Sequence, residues 1–179
     1  MGLLDNKTAI VTGSSRGIGA DVAKILAGEG AAVVVNYRQK APRANKVVQG
    51  IEADGGRAVA VGADLTTQEG VQALASAAME NFGSLDILVL NASGGMETGM
   101  GEDYALKLNR DAQLNMLNAA VPLMKEGSRV VFVTSHQAHF INTVPTMPAY
   151  EPWPAASVPA RTPCASSSPA WPRRGSPWW

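Results

Sequence analysis

Apolar runs of strand length alternate with stretches of helical period along most of this chain. Thr8–Val11 is a short, largely β-branched run that ends abruptly at Gly13. From Gly17 the period lengthens, and Ile18, Val22, Ile25 and Leu26 recur along one face as far as Gly28, with Gly30 as terminator. Ala31–Val35 is wholly apolar, as expected of a parallel strand buried on both faces. Pro42 then sits in the first turn of a second helix, whose Val47, Val48 and Ile51 form an inward stripe before Gly55 and Gly56 stop it. Arg57–Val61 is a third strand. Thr66 and Glu69 have capping-box spacing ahead of Val71, Leu74, Ala78 and Phe82, and Gly83 closes that helix. Leu85–Leu90 is a strong fourth strand. A glycine-rich loop (Gly94, Gly95, Gly99, Gly101) precedes a long helix carrying Leu108, Ala112, Met116, Ala119 and Ala120 towards Met124. Lys125, Glu126 and Gly127 turn the chain into a fifth strand, Arg129–Thr134. Strand and helix alternate with short connections, and right-handed crossovers then predict an α/β, doubly wound parallel sheet in the order 3-2-1-4-5.

The first strand-to-helix junction carries chemistry. Lys7 to Gly19 reads KTAIVTGSSRGIG. A strand, a glycine turn and a helix together are the context in which such a pattern means dinucleotide binding, on a Rossmann-like fold. Gly13 lets the chain turn, Gly17 keeps side chains away from a pyrophosphate, and Gly19 lets helix and strand approach closely. The N–H groups of the first helical turn then face the phosphates.

Composition narrows the function further. The chain has 179 residues, enough for one domain with a sizeable core. Fifteen basic and fifteen acidic residues balance, which argues against a nucleic-acid partner. The single cysteine, Cys164, excludes an internal disulfide and a multi-thiolate metal site. No apolar run has signal or membrane-spanning length, so the expectation is a cytoplasmic protein with no membrane partner.

At the level of motifs the chain resembles the short-chain dehydrogenase/reductase family, closest in style to its 3-oxoacyl-(acyl carrier protein) reductase-like members. The family's TGxxxGIG motif is Thr12-Gly13-Ser14-Ser15-Arg16-Gly17-Ile18-Gly19. Its aspartate after the third strand is Asp64, followed by Leu65. Its NNAG motif is matched in part by Asn91-Ala92-Ser93-Gly94, its helix-four asparagine by Asn109 and its catalytic serine by Ser135. The resemblance covers about residues 5 to 150.

The resemblance implies a nicotinamide cofactor and hydride transfer to a ketone or 3-oxoacyl substrate. Asp64 would face the adenine amino group, with Leu65 against the ring, and Asn91 would lie along the inner ribose; Asp64 read by itself is equally a turn aspartate. The second strand ends Val35-Asn36-Tyr37-Arg38, where an acidic residue would repel a 2′-phosphate. Asn36 is neutral, and Arg16 and Arg38 offer forks suited to phosphate oxygens, so NADP is favoured over NAD, although both arginines also fit a solvated surface. For catalysis the resemblance assigns Ser135 to the carbonyl oxygen, Asn109 to a proton-relay water and Tyr150 to the proton. The family also has a lysine four residues after that tyrosine, which lowers its pKa and grips the nicotinamide ribose. Here position 154 is Pro, and no lysine follows Lys125. A tyrosine with an ordinary pKa near 10 is a poor acid at neutral pH, so the resemblance implies impaired turnover. His136 and His139 follow Ser135, but without a GxSxG elbow they do not make a hydrolase.

The tail changes character. From Glu151 the chain holds all four Trp and prolines at 152, 154, 159, 163, 169, 172 and 177, with no Ile, Leu, Met or Phe. Those prolines exclude a sustained helix or central strand. Residues 1–150 therefore read as an incomplete NADP-binding domain and 151–179 as an irregular Pro/Ser/Ala/Trp-rich tail, with the composition of a GC-rich coding sequence translated out of frame. A genuine Pro-rich recognition tail is the rival reading. In the family's homodimers or tetramers, helices four and five of two subunits pack as a bundle, so the loss of one of them puts assembly in doubt here. A non-catalytic nucleotide-binding protein and a non-functional truncated product are the alternatives to an active enzyme.

Overall fold

The structure, a computed structural model, describes residues 2–94 and 103–134. Five parallel strands, β1 (Thr8–Val11), β2 (Ala32–Tyr37), β3 (Arg57–Gly62), β4 (Leu85–Leu90) and β5 (Met124–Phe132), form one sheet in the order β3-β2-β1-β4-β5. The order is the one that the sequence predicts. Helices α1 (Gly17–Gly28) and α2 (Ala41–Ala53) pack on one face. Helices α3 (Gln68–Phe82) and α5 (Ala112–Ala120) pack on the other.

Both faces are dry because consecutive strand residues are divided between two cores. Ala9, Val11, Val33, Val35 and Val89 face α1 and α2, whereas Ile10, Val34, Leu88 and Leu90 face α3 and α5. The continuous apolar runs are thus two alternating sets superposed. Ile10, Leu74, Leu88, Leu90 and Met116 are among the largest fully buried side chains.

Four expectations are corrected. Ile18, Val22, Ile25 and Leu26 are not the buried face of α1: Ile18 is 67% and Ile25 66% exposed, while Gly19, Ala20, Ala23 and Ala27 meet the sheet. Both sets have helical spacing; only the small residues allow the close approach that this helix makes, with larger Val22 and Leu26 at its margins. The cap of α3 is Thr67 rather than Thr66: its Oγ1 accepts from the Gly70 N–H at 3.1 Å. Thr66 serves the preceding turn, where its N–H and hydroxyl donate to Asp64 Oδ1. The expected long helix is segmented into α4 (Tyr104–Leu106), a π-helical segment (Lys107–Asp111), α5 and a 3-10 turn (Val121–Leu123). Finally, the Lys125–Gly127 turn lies inside β5. Leu85 pairs with Met124 but Ile87 with Arg129, so the extra residues loop out of register around Gly127, at φ +86°. Two smaller differences lie at strand ends: β2 starts one residue later than expected and runs on to Tyr37, and β3 continues to Gly62.

Candidate functional site: the crevice at the carboxyl end of the sheet

The turn after β1 is built by three glycines with separable roles. Gly13 has φ +63°, and a Cβ there would lie 2.9 Å from the Ala92 Cα, so glycine is needed both for conformation and for space. A Cβ on Gly19 would lie 2.5 Å from Asn91 Nδ2 and 2.9 Å from the Gly13 carbonyl oxygen, so this glycine lets α1 press against the end of β4. Gly17 differs. At φ +54° its Cβ would meet nothing within 4 Å, so the absent side chain leaves an open surface. Beside it, Arg16 is an extended N-cap residue that makes no side-chain cap, and the N–H groups opening α1 have no intrahelical acceptor. The exposed Arg16 and Ile18 flank this patch, with Ser15 half-buried beside them.

Two polar residues brace the turn from neighbouring strands. Asn36 is 2% exposed. Its Oδ1 accepts from the Gly13 N–H at 3.0 Å, its Nδ2 donates to the Ala63 carbonyl at 3.2 Å, and its N–H donates to Ser14 Oγ at 3.0 Å. Ser14 Oγ in turn donates to the Val11 carbonyl at 2.6 Å. From the other side, Thr12 Oγ1 donates to the Val89 carbonyl and accepts from the N–H groups of Asn91 at 2.8 Å and Ala92 at 2.9 Å. That uses the hydroxyl's whole capacity. Asn91 Nδ2 completes the tie by donating to the Thr12 carbonyl at 3.0 Å. In the sequence Asn36 stands out only for the charge it lacks, and Thr12 only as a member of the glycine motif. Their signal was faint: a polar residue ending an apolar run.

The segment after β4 is held by the helix that follows. Asn109, 6% exposed and in the π-helical segment, donates from Nδ2 to the Gly94 carbonyl at 2.8 Å and accepts from the Gly94 N–H at 3.2 Å. One turn later Gln113 donates to the Ala92 carbonyl. π-Helical turns are frequent at functional sites, because they aim one side chain out of register. Ser93, between these clamps, is exposed.

The remaining candidates divide. Asp64 lies at the carboxyl end of β3 with Oδ1 engaged by Thr66 at 2.7 and 2.9 Å, a turn role that leaves its other oxygen without a partner among the described residues. Leu65 is 3% exposed and belongs to the core beside α3, so its side chain packs inward. Arg38 is exposed beyond β2, with its guanidinium 5.3 Å from the centroid of the Tyr104 ring. Ser135 and Tyr150, as well as the tail from Glu151, lie outside the described residues. Among the described residues there is no cluster of three or more His, Cys, Asp or Glu that could hold a metal, and no helix long and apolar enough to cross a membrane.

A parallel sheet of this order, with a braced glycine turn where the strand order reverses, is a Rossmann-like doubly wound fold. The chain matches the short chain dehydrogenase family over residues 7–152, and it belongs to that family of oxidoreductases. It is 41% identical over 142 residues to an uncharacterized oxidoreductase of Methylorubrum extorquens, covering 75% of this chain and 57% of that protein. It is 38% identical over 141 residues to versicolorin reductase 1 of Dothistroma septosporum, covering 75% and 54%. A short chain dehydrogenase from Burkholderia cenocepacia, solved in complex with NADP, superposes with a TM-score of 0.78 at 38% identity, covering 87% of this chain and 64% of that one. The chain thus spans little more than half the length of these curated relatives.

Proposed function

We propose that this chain carries the NADP-binding part of a short-chain oxidoreductase whose intact form reduces a ketone or 3-oxoacyl substrate, and that turnover is impaired in the chain as it stands. One observation carries the nucleotide reading: the open surface at Gly17, edged by the first-turn N–H groups of α1 and rigidly backed by Asn36, Thr12 and Asn91. This donor set fits a pyrophosphate, since backbone N–H groups and a helix N-terminus favour anionic oxygens. Arg38 and Arg16 lie on the exposed rim, where a 2′-phosphate would meet their guanidinium forks. The NADP complex of the Burkholderia relative supports the same choice. Asp64 would meet an adenine amino group through the carboxylate oxygen that its turn leaves over, with Leu65 contributing its position beside that group rather than a free side chain. Asn91, Ala92 and Ser93 form the wall along the inner ribose.

When bound, the nicotinamide supplies a hydride, and the protein must then stabilise charge growing on the substrate oxygen and deliver a proton. Asn109 fixes the wall of the reacting side through Gly94, and Ser135 and Tyr150 are the candidates for the oxygen and the proton. Position 154, where the family has its lysine, is Pro, and no lysine follows Lys125. That favours a second reading, a nucleotide-binding chain without catalysis. The family match ends at residue 152, close to where the composition changes, in keeping with a tail at 151–179 that is foreign to the fold.

Fluorescence titration of the full chain with NADPH and NADH, beside a ketone-reduction assay, separates these readings. Saturable NADPH binding without turnover is the expected result. Turnover would overturn the impairment, and failure to bind either nucleotide would overturn the whole proposal.

A further inference from the structure

We infer that Tyr104 is a positioning residue for coenzyme choice: its ring holds Arg38 across the crevice, ready for the 2′-phosphate. This deepens the NADP reading and rests on it. Arg38 directly follows β2, while Tyr104 opens the helix after β4, and β1 lies between those strands in the sheet. Their contact therefore joins the segments that leave the strands on either side of β1, at whose carboxyl end the Gly13 turn lies. The guanidinium is 5.3 Å from the ring centroid, inside the range at which the negative face of an aromatic ring attracts a cation. Arg38 has no carboxylate within ion-pair distance among the described residues, so the ring is the partner they show for its charge.

The two partners differ in rigidity. Arg38 is an exposed side chain with several rotatable bonds, which a phosphate would have to immobilise on arrival. Tyr104 is half-buried and held by its helix: the neighbouring Ala105 is 2% exposed, the Lys107 N–H donates to the Asp103 carbonyl at 2.9 Å, and Asn109 is pinned to Gly94. A fixed ring under a mobile fork meets the ordering cost before the ligand binds. The consequence is selective. NADPH carries the 2′-phosphate and NADH does not, so the ring matters for one nucleotide and not for the other.

The test titrates the full chain with NADPH and with NADH in four forms: wild type, Tyr104→Phe, Tyr104→Leu and Arg38→Lys. Tyr104→Phe keeps the ring and is expected to bind both nucleotides like wild type. Tyr104→Leu is expected to weaken NADPH about fivefold, with NADH within about twofold of wild type. Arg38→Lys, at an exposed position, keeps the charge but loses the fork that the phosphate would grip, and should lose NADPH affinity to a similar extent. The inference is overturned by equal loss of both nucleotides in Tyr104→Leu, by unchanged or tighter NADPH binding there, or by wild-type NADPH binding in Arg38→Lys. A wild-type chain that binds neither nucleotide overturns the NADP reading itself; one that binds NADPH while the variants match it overturns only the role of Tyr104.

Discussion

Gly13 and Gly17 share a positive φ but differ in what surrounds them, and that difference separates folding from binding. Gly13→Ala forces a methyl against Ala92 and is expected to destabilise by about 2 kcal/mol or more. Gly17→Ala meets only conformational strain, about 1 kcal/mol, yet places its methyl on the surface that a pyrophosphate would approach. Thermal melts should show the larger loss at Gly13, whereas NADPH titration should show about tenfold weaker binding for a folded Gly17→Ala. Asp86 supplies a pH signature. Burial raises its pKa, but the Thr8 N–H, the Ser84 hydroxyl and the Lys7 ammonium together outweigh that and hold it below the usual carboxylate value. A lowered folded pKa contributes stability that is present above about pH 4 and is lost as the pH falls through the folded value. Asp86→Asn should therefore melt below wild type at pH 7, and the gap should close in acid.

At the scale of elements, caps and clamps decide where segments begin. Thr67→Ala removes the cap of α3 and should cost about 1 kcal/mol, more than Thr66→Ala, whose hydroxyl serves only the exposed turn at Asp64. Denaturant melts of the two variants check the order. Asn109→Ala leaves both polar groups of Gly94 without their partner and should cost about 1–3 kcal/mol. Faster hydrogen exchange at the Gly94 amide is its local signature. Thr66 and Thr67 are adjacent hydroxyl residues, and only Thr66 has a glutamate three residues on, so box spacing favours it; the backbone turn at Asp64 takes its hydroxyl and leaves the cap to Thr67. The segmented helix was illegible for a similar reason. Its apolar spacing at Leu108, Ala112 and Met116 suits one continuous helix, and the π-helical turn arises where Asn109 reaches for Gly94.

For the molecule as a whole, the bonds that brace the candidate nucleotide site among the described residues join positions between Val11 and Gln113. Deleting residues 151–179 is therefore expected to leave NADPH affinity within about twofold of the full chain, measured by the same titration. A larger loss would mean that the tail contributes to the site.

Local pattern alone determined the strands, the glycine turn and the order of the sheet, because two-sided burial writes continuous apolar runs and right-handed crossovers leave little freedom of topology. Motif spacing also marked Gly13, Gly17, Gly19, Asn91 and Asn109. Only the tertiary structure decided which face of α1 is buried, since two sets of helical spacing compete there and the distance to the sheet chooses the smaller residues. It alone turned Asn36 from a residue lacking charge into a brace, and brought Arg38 and Tyr104 together, because hydrogen bonds and ring contacts across strands depend on positions that no local sequence pattern encodes.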